Sequence, residues 1–146
     1  MPGIHTFVST SDEHRTAKFP GKSWEDIKRM LAESAGYAAE KLVKSGSYGM
    51  VEISAEDALR TPLERLIEIY YGVMNVIKPY FGKVGFTFNI PDTVGIVVNH
   101  KKYVHYINSL RQGIENIENI ILSAHIHDDH RLAVAASMAS IEAGVR

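Results

Sequence analysis

The chain has no cysteine at all among its 146 residues, and that absence removes several chemistries at once. Disulfides, thiolate nucleophiles, iron–sulfur clusters and Cys-type zinc sites are excluded. There is also no surplus of charge. Sixteen basic side chains face seventeen acidic ones, for a formal charge of −1. A binder driven by phosphate neutralisation needs a basic excess, so nucleic acid is not an expected partner. Nor is there a polybasic patch for an anionic membrane. No apolar run approaches about 18 residues, and the N-terminus carries no signal-peptide pattern, so the expected location is the cytoplasm and no membrane is expected as partner. What remains is an ordinary globular composition, 45% hydrophobic and 23% charged, in a length suited to one domain over residues 1–146.

Short β-rich runs alternate with longer helical ones. Ile4–Val8, Met50–Ser54, Phe86–Ile90 and Ile120–His125 read as strands. Ser23 with Asp26 forms a capping box ahead of a long amphipathic helix, with a break expected near Gly36 and a stop at Gly46. Thr61-Pro62-Leu63-Glu64 predicts a second start, with Thr61 as N-cap and Pro62 at the first helical position. Further helices are expected over Lys101–Gln112 and Arg131–Ala143, and Ser9 to Asp12 reads as a polar turn. Strand followed by helix, four times over, is the pattern of parallel βαβ units joined by right-handed crossovers. The fold class is α/β.

In such folds reactive groups collect beyond the carboxyl ends of the strands. The segments after the four strands, His5 to Asp12, Ser54 to Arg60, Asn89 to Gly95 and Ala124 to His130, are all polar. The sharpest is His125-Ile126-His127-Asp128-Asp129, because residues two apart on a strand share a face and both imidazoles can converge on one divalent ion. The same pair also suits hydrogen-bonded core histidines or an exposed loop. Ser54 and Glu56 likewise share a face, where they can meet a polar substrate; a solvated loop, or a salt bridge with Arg60, is the plainer reading of Glu56-Asp57. Thr93 lies in turn chemistry that can also bind an anion. His5 is a lone strand histidine, and Tyr70, Tyr71 and Trp24 read as helix-packing aromatics.

Together the stretches Ile4–Lys18, Val51–Thr61, Asn89–Gly95 (NIPDTVG) and Ser123–Arg146 (beginning SAHIHDDHR) resemble the catalytic barrel of the 2-isopropylmalate synthase family, with its homocitrate and citramalate synthase relatives. The resemblance implies a partial TIM barrel of about four parallel βα units, similar to strands three to six of the family's eight. It implies a transferase that condenses acetyl-CoA with a 2-oxo acid on a divalent metal (Zn, Mn or Mg), in amino-acid biosynthesis of the leucine type. By the same resemblance His125 and His127 are metal ligands. His5, Ser54 and Thr93 line the 2-oxo acid pocket, and Glu56 is catalytic.

The family barrel is about 250 residues. The segments carrying an Asp ligand, a catalytic Arg and an Asn ligand, and the leucine-sensing domain, have no counterpart here. The isolated chain is therefore expected to be inactive unless a second copy or a complementing barrel half joins it; the alternative is a non-catalytic homologue acting as an interaction or ligand-binding module. Departures inside the matched region are Leu59 for a small residue, Arg131 for Gly and Ala136 for Asn, and the first connection and Gly72–Gly85 are longer than usual.

Overall fold

The computed structural model describes residues 1–96 and 99–146. Strand β1 (Gly3–Ser9) leads through a short helix α1 (Asp12–Lys18) and the long α2 (Trp24–Lys44) to β2 (Met50–Glu56). Helix α3 (Leu63–Ile77), β3 (Gly85–Asp92), α4 (His100–Gly113), β4 (Ile121–Ile126) and α5 (Ala133–Glu142) follow. The four strands form one sheet in the order β1-β2-β3-β4, every pair parallel. This is the α/β, partial-barrel architecture expected from the strand–helix alternation.

Because strand side chains alternate, the sheet has two unlike faces. Val51, Ile53 and Ala55 on β2, Phe86, Phe88 and Ile90 on β3 and Leu122 on β4 are buried in the core. The helices cover this face with Ile27, Leu31, Leu66, Ile69, Tyr103 and Ile107. Tyr70 meets Phe88 edge-on at 5.8 Å between centroids, and the Tyr103 hydroxyl donates to the Ile90 carbonyl at 2.7 Å. Burial pushes both phenols upward, Tyr70 to about 12, so both stay protonated donors. The opposite face carries His5, Glu52, Ser54, Glu56, Thr87, Asn89, Ser123 and His125, with Phe7 and Ile121 exposed among them; among the described residues, α1 reaches it only at its end, where Lys18 pairs with Glu56. Branched apolar residues fill the interior of a typical (β/α) barrel; here polar groups occupy most of that surface, with Phe7 and Ile121 as its apolar members.

Three local expectations are corrected. Helix α2 runs unbroken through Gly36. That glycine answers a packing need instead: a Cβ there would run into Val76 Cγ1 of α3. Thr61 does not cap α3, whose N-cap is Pro62 without a side-chain bond. Its hydroxyl is spent on the Asp57 carbonyl at 3.0 Å and on Thr10 at 2.7 Å. Finally, the polar turn is shorter than expected, since Ser9 still belongs to β1 and Asp12 already opens α1. Ser11 caps it by accepting from the His14 amide at 3.2 Å, and Asp12 and Glu13 complement the helix dipole.

The close α2–α3 approach makes Gly36→Val destabilising by about 1–3 kcal/mol through overpacking. In a Val76→Ala background the same change is expected to cost at least about 1 kcal/mol less, a coupling that a double-mutant cycle of denaturant unfolding measures. Equal costs in both backgrounds would mean that Val76 is not what the glycine accommodates.

Candidate active site

The polar face is organised by a row of side chains running across all four strands. His5 Nε2 lies 2.8 Å from Ser54 Oγ, which accepts from Asn89 Nδ2 at 2.8 Å. The Asn89 carbonyl oxygen accepts in turn from the Ser123 hydroxyl at 2.9 Å. Ser54 and Asn89 are buried, whereas the His5 side chain is 51% exposed and has Glu52 Oε1 at 3.6 Å. His5 is thus not a packed core histidine; it faces the open side of the sheet.

Glu56 ends β2. Its carboxylate accepts from the Ser9 hydroxyl and pairs with Lys18 of α1 at 2.6 Å. Burial alone pushes its pKa up, but the Lys18 and Ser9 hydrogen bonds and the Lys18 charge outweigh that and hold it below the usual carboxylate range. The neighbouring Asp57 is buried and sits in the left-handed region, at φ 63°. Arg60 grips its carboxylate through Nε at 2.8 and 3.0 Å and through Nη2 at 2.5 Å, so the salt bridge with Arg60 is present on Asp57. Ser11 also donates to this carboxylate, and His14 Nδ1 faces it at 3.7 Å. The Asp57 amide donates to Thr93 Oγ1 at 2.8 Å, which fixes Thr93 while leaving its hydroxyl proton free to donate. One aspartate therefore ties together the ends of β1, β2 and β3.

The histidine pair lies at the end of β4. His125, level with Pro91, and His127 are exposed, with ring centroids 5.2 Å apart and planes tilted by 41°. Two neighbouring imidazoles suit a divalent ion as donors, but among the described residues no group of three or more His, Cys, Asp or Glu is placed to enclose one. The loop that carries them seats on the NIPDTVG loop: Gly95 has φ 61°, and a Cβ there would run into the Asp129 side chain. Asp128 accepts from the Ala133 amide at 3.0 Å and so caps α5. Arg131 stands at φ 55°, a conformation that glycine adopts more easily. That conformation ends the loop and delays α5 to Ala133.

Of the residues singled out from sequence, the structure joins His5 to Ser54 and places His125 beside His127. It anchors Thr93 to the Asp57 amide, and it pairs Glu56 with Lys18. Ser9 and Asn89 lie in the polar segments marked after the first and third strands without being singled out, and Lys18 and Ser123 are assigned no role there. Asn89 and Ser123 carry the same period-two signal that marks Ser54 with Glu56 and His125 with His127, since each lies on the polar side of its strand.

Two measurements follow. The lowered pKa of Asp57 means that its contribution to stability is full above 3.8, the ordinary value, and is lost as pH falls through the lower folded value. Burial opposes that shift; Arg60 and Ser11 reverse it. Asp57→Asn should therefore cost about 2 kcal/mol at neutral pH, with the gap from the parent narrowing as pH falls below 3.8 in denaturant titrations. A gap independent of pH would show that the carboxylate charge is not what stabilises. Arg131→Gly should raise stability by about 0.5–1 kcal/mol, the left-handed penalty of a side chain less the extra chain entropy of glycine; a fall in the unfolding midpoint would contradict it.

Comparison with known proteins places this geometry. The HMGL-like family matches residues 1–146. The 2-isopropylmalate synthase of Methanocaldococcus jannaschii is 38% identical over 97% of this chain, and that of Bacillus pumilus 36% over 98%. The chain spans only about a quarter of their length, 24% and 25% respectively. Among solved structures, an HMG-CoA lyase from Bacillus subtilis superposes with a TM-score of 0.68 over 98% of this chain and 44% of its own, at 16% identity. Among the described residues no helix is long and apolar enough to cross a membrane. With its whole length matched and its four parallel strands presenting one polar face, the chain belongs to the HMGL-like family.

Proposed function

We propose that this chain forms the 2-oxo acid side of the catalytic barrel of a 2-isopropylmalate synthase-type enzyme, one that condenses acetyl-CoA with a 2-oxo acid. The observation that carries the reading is the hydrogen-bonded polar row from His5 through Ser54 and Asn89 to Ser123, on the sheet face opposite the apolar core. His5, Ser54 and Thr93 are the groups assigned to hold the 2-oxo acid. Thr93, whose oxygen already accepts from the Asp57 amide, offers its proton to a substrate carboxylate. Glu56, kept ionised beside Lys18, is suited to accept a proton rather than to supply one.

His125 and His127 would supply two ligands to a divalent ion, the remaining ones coming from barrel segments in a complementing half or a second copy. When bound, that ion would polarise the carbonyl of the 2-oxo acid as a Lewis acid. In the overall reaction the acetyl methyl group loses a proton, its carbon joins the carbonyl carbon, and water releases CoA from the thioester. The second reading is a non-catalytic module. Its support is that the two histidines have no third protein ligand among the described residues.

Calorimetric titration of the chain with Zn²⁺ and Mn²⁺ separates the two. The synthase reading expects binding that weakens at least about tenfold in a His125→Ala, His127→Ala variant. Equal affinity in parent and variant, or no binding to either, would overturn the metal assignment and favour the non-catalytic module.

A further inference from the structure

The row across the polar face has a direction. Asn89 is fixed at both ends, its Nδ2 giving to Ser54 Oγ at 2.8 Å and its Oδ1 receiving the Ser123 proton at 2.9 Å. Ser54 Oγ can accept from both neighbours, but its buried hydroxyl proton would then have no acceptor among the described residues; donating it to His5 Nε2, at 2.8 Å, satisfies it. Donation therefore runs one way, from Ser123 on β4 through Asn89 and Ser54 to His5 on β1. Asn89 and Ser54 are each only 4% exposed, so water has little access to replace either link. We infer that Asn89 is a positioning residue: it polarises this row so that His5 is held as the Nδ1–H tautomer, with Nε2 accepting and the Nδ1 proton left as the donor.

The alternative tautomer has its own attraction. Glu52 Oε1 lies 3.6 Å from His5 Nε2 and would favour a proton there. At 3.6 Å that pull is an electrostatic contact across a half-exposed site, whereas the Ser54 contact is at hydrogen-bond distance. The row decides the tautomer as long as Asn89 aligns it. Without Asn89, Ser54 can accept from His5 instead, and Glu52 then draws the proton to Nε2. The inference rests on the reading that His5 lines the substrate pocket only for its bearing on catalysis; the tautomer itself needs neither substrate nor metal. It also links His5 to the strand that carries His125, two residues beyond Ser123.

The test is long-range ¹H–¹⁵N correlation NMR of the ¹⁵N-labelled chain at alkaline pH, where the imidazoles are neutral, with His5 assigned by a His5→Gln variant. The expected parent spectrum shows a pyridine-type Nε2 and a protonated Nδ1 for His5. Asn89→Leu and, separately, the gentler Ser54→Ala should each move the tautomer ratio toward Nε2–H by about fivefold, the change that one hydrogen bond produces. Circular dichroism checks that each variant folds, and Ser54→Ala carries the test if Asn89→Leu does not. A protonated Nε2 in the parent would overturn the inference, as would a ratio unmoved in folded variants. Metal titration of the same samples reads the His125–His127 assignment separately, so failure of one is distinguishable from failure of the other.

Discussion

Everything in this molecule depends on parallel strand pairing in chain order. Each strand needs a crossover to return to the same end of the sheet, and each crossover here brings a helix to the same side. That leaves one sheet face with a dry, closely packed cover and the other with none. The residues on the uncovered face are consequently free of the demand for apolar volume, and they can be chosen for hydrogen bonding. The His5–Ser54–Asn89–Ser123 row is what occupies that freedom.

The strand ends are held by a second device of a different kind. Asp57 spends its amide, its carbonyl and both carboxylate oxygens on Thr93, on Thr61 and Arg60 of its own turn, and on Ser11. A buried carboxylate is costly unless its bonds are satisfied, so the arrangement is close to all-or-none. Its left-handed backbone turns the chain sharply after Glu56, leaving that carboxylate on the strand face beside Lys18 while its neighbour points into the core. Two adjacent acids thus acquire unlike roles from backbone geometry alone.

The histidine loop shows the same division between scaffold and chemistry. Asp128 and Asp129 directly follow the histidine pair in sequence. In the fold Asp128 caps α5, and the Asp129 side chain lies against Gly95. Acidic residues next to a metal-type motif are here occupied in holding the loop in place. Arg131, a bulky cation near the histidines, holds a left-handed turn that a glycine would make more easily.

The sequence by itself determined the four strands, the long helices, their α/β order and the face-sharing of Ser54 with Glu56 and of His125 with His127. These follow from local periodicity and from turn residues that act within a few positions. Tertiary structure alone decided that Thr61 serves Asp57 and Thr10 instead of capping a helix, that Gly36 exists for Val76, that Lys18 pairs with Glu56 and that Asn89 bridges Ser54 and Ser123. Apart from Asp57, which lies four residues before Thr61, the partner lies on a different element, 34 to 51 residues away for the hydrogen-bonded pairs across strands and loops. A side chain's choice among several possible partners is made by which of them packing brings within about 3 Å, and no local pattern encodes that distance.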